Sequence, residues 1–197
     1  MPHAVTIAHV RAAVIVFALL GVRGVAAQRG AAPATDPFAD RGWHLELASH
    51  YAPEAWNYNV SREEMFGIAP GLSYGLSDGL VFTIAGPLYV IEQRGVDACL
   101  LGLNFGVRSR IVRRGRLSAF VEFQVGLSEA DTTTPPGGTR FNYLALGGGG
   151  ATLRIAPALH LVGTLRWIHV SNGGREGRSR NPDIEAVGPQ FGVLIGF

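Results

Sequence analysis

From Gly42 to Phe197 large apolar side chains alternate with small or polar ones in segment after segment. Successive side chains of an extended strand point to opposite faces, so a period of two gathers the apolar residues of each segment on one side of a sheet. The pattern is clearest over 116–128, where Leu117, Ala119, Val121, Phe123, Val125 and Leu127 oppose Ser118, Glu122, Gln124 and Gly126. Eight strands are predicted on this basis, over 42–51, 65–75, 80–91, 98–111, 116–128, 140–155, 159–171 and 183–197. The third is apolar on both faces, which leaves its orientation open. Gly147–Gly150 in the sixth suggest a bulge or bend.

The connections alternate as well. Leu76–Gly79, Val112–Gly115 and Ala156–Ala158 read as tight turns, whereas 52–64, 129–139 and 172–182 are longer and polar, with a shorter link at 92–97. Short turns at one end and long loops at the other are the layout of an outer-membrane barrel. Composition decides which face is wet. With 47% hydrophobic and only 16% charged residues the chain is too apolar to be disordered. Yet its longest apolar run, Ala12–Val22, falls short of the roughly 18 residues of a membrane-spanning helix. A soluble β-sandwich would turn its polar faces outward. Here the opposing faces are almost purely aliphatic and aromatic on one side and rich in Gly, Ser, Gln, Glu and Arg on the other, which fits lipid outside and a filled polar interior. The predicted fold is all-β: an eight-stranded antiparallel transmembrane β-barrel of the bacterial outer membrane, formed by 42–197, with Glu46, Glu122, Arg154 and Arg166 pairing inside.

Ahead of the barrel, Arg11, the apolar run and the small residues Val25-Ala26-Ala27 form the pattern of a secretory signal peptide, 1–27. Residues 28–41, rich in Pro and Ala, read as a poorly ordered lead-in. All 17 cationic residues are Arg; removing Arg11 and Arg23 with the signal peptide leaves 15 against 15 acidic residues. Zero net charge gives no reason to expect nucleic acid as a partner. The single cysteine, Cys99, excludes an intramolecular disulfide and a Cys-rich zinc site. Gly71-Leu72-Ser73-Tyr74-Gly75 matches a nucleophile-elbow pattern but lies inside a predicted strand with no helix after it. His44, His50 and His160 read as interior hydrogen-bonding residues, and no metal or cofactor is expected.

Three polar residues interrupt the apolar stripes of the last two strands. By parity His169 and Ser171 share the outer face with Leu161, Leu165 and Trp167, and Glu185 shares it with Val187, Phe191, Val193 and Ile195. A strand rising about 3.3 Å per residue and tilted about 40° climbs roughly 2.5 Å per residue along the membrane normal. Glu185 then stands about 30 Å above Phe197, and His169 about 25 Å above Leu159, at the upper edge of an apolar band about 25 Å tall. A charge costs roughly 2–4 kcal/mol at mid-membrane but only about 0–1 at this boundary. Residues two apart on a strand share a face, and the 172–182 hairpin brings Glu185 beside His169 as a cross-strand neighbour. A serine, a histidine and a carboxylate in that order make a nucleophile, its general base and the group that orients the base.

The segment Arg166-Trp167-Ile168-His169-Val170-Ser171-Asn172, followed by Asn181-Pro182-Asp183-Ile184-Glu185 and a strand ending on the aromatic Phe197, resembles the PagL-type lipid A 3-O-deacylases over 159–197. The resemblance implies an exterior triad of Ser171 as nucleophile, His169 as base and Glu185 as orienting acid, with Asp183, of the same parity, in reserve. It also implies oxyanion donors at Asn172, Gly173 and Gly174, and a substrate, lipid A of lipopolysaccharide, in the outer leaflet. Arg175, Arg178 and Arg180 in the neighbouring loop are candidates for its phosphates, alongside an ordinary solvated-loop role. Phe197 resembles the terminal signal read by the outer-membrane assembly machinery, and a homodimer is left open. Two other functions suit the same chain: a non-catalytic structural or adhesive barrel, and an outer-membrane phospholipase.

Overall fold

A computed structural model of the chain describes residues 36–56 and 62–197, so the predicted signal peptide lies outside the described residues. The strands are β1 Trp43–Trp56, β2 Glu64–Ser77, β3 Leu80–Ala85, β4 Leu88–Glu92, β5 Ala98–Arg114, β6 Leu117–Thr134, β7 Thr139–Ala156, β8 Leu159–Ser171 and β9 Ile184–Gly196. All pairs are antiparallel, and β9 pairs with both β8 and β1, which closes the sheet. β3 and β4 are two pieces of one predicted strand, each running between β2 and β5. The interruption falls at Gly86-Pro87, where proline has no N–H to give the ladder. Side-chain parity survives the break, with Val81, Thr83, Tyr89 and Ile91 all buried. The molecule is thus an eight-stranded ring of the outer-membrane type.

Strand ends run further than alternation predicts on the long-loop side. β1 continues to Trp56 and β6 to Thr134, so the predicted 129–139 loop shrinks to Pro135–Gly138. Gly147–Gly150 do not form a bulge: pairing is continuous across them to both β6 and β8. A Cβ at Gly148 or Gly150 would come within 2.5 Å or 2.2 Å of backbone oxygens of β8, so these glycines permit close contact between strands rather than a bend.

The outer wall carries rows of exposed large apolar residues, among them Leu101, Leu103, Phe105, Val121, Phe123 and Leu165. Contiguous apolar rows of this kind are not left bare by a soluble monomer, and they are satisfied by lipid. The lumen is filled, but in layers rather than uniformly polar. A central ionic chain runs from Gln190 through Glu46, Arg108 and Glu122 to Arg166. Arg108 binds Glu46 at 3.1 Å and Glu122 at 2.9 Å, and Arg166 Nε donates to Glu122 at 2.9 Å. Arg108 takes the place expected of Arg154, which sits near the lower rim with its N–H bonded to Arg116 O. Toward the long-loop end the lumen is closed by Met65, Tyr89, Leu100, Leu146, Ile168 and Ile184, and toward the short-turn end by Phe38, Val81, Phe120, Val162 and Leu194.

Phe38 belongs to the segment expected as a poorly ordered lead-in, of which 36–41 are described, with Pro37 and Phe38 buried. Its ring is fully buried, 5.9 Å from that of Phe120. Asp36 accepts bonds from Arg110 at 2.7 Å and Arg113 at 2.8 Å. Gly75 makes the seat: a Cβ there would lie 1.8 Å from Ala39 O, while Arg41 N–H donates to Gly75 O. Burial alone would raise the Asp36 carboxyl, but the Phe38 N–H and the Arg110 and Arg113 guanidinium groups outweigh it and hold it below its ordinary value.

Candidate active site

Along β8, His160, Val162, Thr164, Arg166, Ile168 and Val170 are buried in the lumen. The alternate set, which includes Leu161, Leu165, Trp167, His169 and Ser171, lies on the outer wall. On β9 the same alternation sends Leu194, Gln190 and Ala186 inward and Phe191, Val187 and Glu185 outward. The β8–β9 register puts His169 directly opposite Glu185. The parity and the cross-strand pairing predicted for these residues therefore meet at one place on the exterior, at the long-loop end.

His169 bridges its neighbours. Its Nδ1 lies 2.8 Å from Glu185 Oε1 and its Nε2 lies 2.8 Å from Ser171 Oγ. A carboxylate on Nδ1 fixes the tautomer in which Nδ1 carries the proton, leaving Nε2 to accept from the serine hydroxyl. Although Ser171 and Glu185 are on the lipid-facing side they are only 7% and 9% exposed, shielded from bulk water at the foot of the 172–183 loop. Ser171 is paired in register with Tyr143 of β7. Asp183 has a ligand atom within 4.8 Å of those of His169 and Glu185, a trio compact enough for a metal ion, but it is Glu185 that meets His169 Nδ1.

One further contact has no signal in the sequence. Trp167, two residues before His169, donates its indole Nε1–H to Glu185 Oε2, and its ring stacks on the imidazole at 6.0 Å and 28°. Parity showed that Trp167 shares the face; which atom it meets depends on its side-chain rotamer.

The expected oxyanion donors are used differently. Asn172 N–H donates to Asn181 Oδ1 at 2.9 Å, Asn172 Nδ2 donates to Arg180 O, and Gly174 N–H donates to Asn172 Oδ1 at 2.9 Å. Asn172 is therefore the knot that ties the loop, and Gly174 is engaged with it. Gly173, at φ 65° over the Tyr143 ring, keeps an N–H with no hydrogen-bond partner among the described residues. Of the three arginines, Arg180 pairs with Glu176 at 2.6 Å and Arg175 lies over the Phe141 ring at 5.3 Å. Arg178 is exposed and unpaired among the described residues. Arg175, Glu176, Asn172, Thr139 and Phe141 line a cleft of about 390 Å³ between the loop and the upper end of β7. Ser73 of the Gly71–Gly75 stretch is buried within β2.

Against proteins of known structure the barrel is similar to Neisserial surface protein A, with a TM-score of 0.63 at 12% identity over 79% of this chain and 97% of the other. It is also similar to the outer membrane enzyme PagL, with a TM-score of 0.56 at 16% identity over 76% and 97%. A third likeness is to the outer membrane protein OprG from Pseudomonas aeruginosa, at 0.50 and 8% over 82% and 98%. The likeness is one of fold. No protein-family model and no curated protein sequence matches the chain. Barrels with and without enzymatic names share this architecture, so the barrel does not decide the activity.

Proposed function

We propose that the chain is an outer-membrane esterase that removes the 3-O-linked acyl chain of lipid A, with Ser171, His169 and Glu185 as its triad. The observation that carries this reading is the pair of 2.8 Å contacts on the two nitrogens of His169, made on the lipid-facing wall of a closed barrel. A triad in that position meets esters that reside in the outer leaflet without drawing them out of the membrane. The choice of the 3-O chain rests on the resemblance of 166–172 and 181–185 to the PagL-type enzymes. An outer membrane enzyme of that name is among the barrels of similar fold.

In the first half-reaction Ser171 Oγ attacks the ester carbonyl carbon as its proton passes to His169 Nε2. Negative charge develops on the carbonyl oxygen, and the Gly173 N–H is the expected donor still open to receive it. Collapse breaks the bond to the sugar oxygen, which takes the proton from His169 Nε2 and leaves an acyl-serine. Water, deprotonated by the same nitrogen, attacks the acyl-serine; a 3-hydroxy fatty acid is released and Ser171 regains its proton. Glu185 holds the imidazole through Nδ1–H. The cleft beside Arg175 is the expected seat of the phosphorylated sugar.

Mass spectrometry of lipid A from cells with and without the protein tests the proposal. Loss of one hydroxyacyl chain, abolished by Ser171→Ala, is the expected result. Intact lipid A with fatty acid shed from phospholipid would replace it with a phospholipase, and unchanged lipids of both kinds with a non-catalytic barrel.

A further inference from the structure

The acid of a triad needs an orientation of its own. A carboxylate offers two oxygens, and a donor on the second fixes which one faces the histidine. Glu185 Oε1 meets His169 Nδ1 at 2.8 Å, and Oε2 accepts the indole N–H of Trp167. Trp167 pairs in register with Val187 while His169 pairs with Glu185, so Trp167 and Glu185 are diagonal neighbours, within reach of a long aromatic side chain. With its second oxygen bound, the carboxylate cannot turn without breaking a charge-assisted hydrogen bond. The same indole lies against the imidazole, 28° from parallel, and limits rotation of that ring as well.

We infer that Trp167 is a positioning residue of the triad, holding Glu185 through Nε1–H and His169 through its ring face. This rests on the hydrolase reading of the site, and Trp167 itself touches no reacting atom. The competing role is that of an ordinary interfacial tryptophan, whose N–H serves the headgroup region and whose ring anchors the strand.

The two roles separate in a double-mutant cycle on the full-length barrel in detergent micelles, read by the rate at which a fluorophosphonate probe labels Ser171. Two replacements at position 167 are made: Trp167→Phe, and benzothienylalanine, which keeps the shape of tryptophan with sulfur in place of N–H. Each is compared in the native background and with Glu185→Ala, and heat-modifiable mobility on gels checks that every variant is folded. Loss of one hydrogen bond to a charged group predicts labelling slowed about 10- to 100-fold in the native background. With Glu185→Ala the benzothienylalanine replacement should change the rate less than about twofold, because the carboxylate it acts through is gone, while Trp167→Phe, which also gives up part of the ring face on His169, should slow it by less than in the native background. Equal slowing in both backgrounds, or none in the native one, overturns the inference. Proton NMR gives a second reading where labelling is too slow: the Nδ1–H signal of His169, absent with Glu185→Ala, should be lost to exchange when position 167 lacks its N–H. If that signal persists unchanged, Trp167 does not hold the carboxylate. A folded native barrel that the probe never labels overturns the hydrolase reading, and the role of Trp167 with it.

Discussion

At the scale of single residues the site is organised around one imidazole with both nitrogens engaged, Nδ1 by Glu185 and Nε2 by Ser171. Glu185→Gln tests that arrangement with little change of shape. The amide would present N–H to Nδ1 or leave it facing an oxygen that carries no charge, favouring the tautomer in which Nε2 holds the proton and cannot accept one. A loss of about 10⁴-fold in deacylation rate is expected, with substrate binding retained, measured as fatty acid released per folded barrel. The juxtaposition of His169, Ser171 and Glu185 was legible in the sequence because parity and hairpin pairing are backbone properties: the three had only to lie on odd positions of adjacent strands. The oxyanion donors were not. Asn172 and Gly174 stand where the expected donors should, but their polar groups bond to each other and to Arg180 and Asn181, a choice made by a loop whose conformation alternation does not specify.

At the scale of elements, strand existence and order followed from period two, while strand ends did not. Beyond the lipid band a strand no longer needs an apolar outer face, so β1 and β6 continue through Glu54 and Asp131 without the pattern that marks them lower down. The described end of the lead-in is the larger departure: a Pro- and Ala-rich segment carries one aromatic, Phe38, and one acid, Asp36, and these suffice to dock it. Because the Asp36 carboxyl is held below its ordinary value of 3.8, its contribution to docking is complete above that pH and disappears as pH falls through the lowered value. Protease cleavage near residue 36 is therefore expected to be slow at neutral pH and to quicken in acid below about pH 4, using an acid-active protease. With Asp36→Asn, cleavage should already be faster at neutrality and change little with pH.

At the scale of the whole molecule, the lumen places a charged layer between two apolar ones. Glu122 lies between Arg108 and Arg166 and neutralises part of each. Glu122→Leu would leave two buried guanidinium groups facing one another with Glu46 alone for balance. A loss of about 3–5 kcal/mol is expected, read as a lower urea midpoint for unfolding of the barrel in micelles. The sequence placed Glu46, Glu122 and Arg166 in this layer but put Arg154 where Arg108 stands, since the two arginines have equal claims by parity and only the depth of each strand in the ring separates them. The position of Ser171, His169 and Glu185 on the outer wall carries its own consequence for the proposed esterase. A catalyst there samples a film, not a volume, so its turnover should follow the mole fraction of substrate in the surrounding surface. Adding inert detergent, at constant enzyme and constant total substrate, should slow it as that film is thinned out.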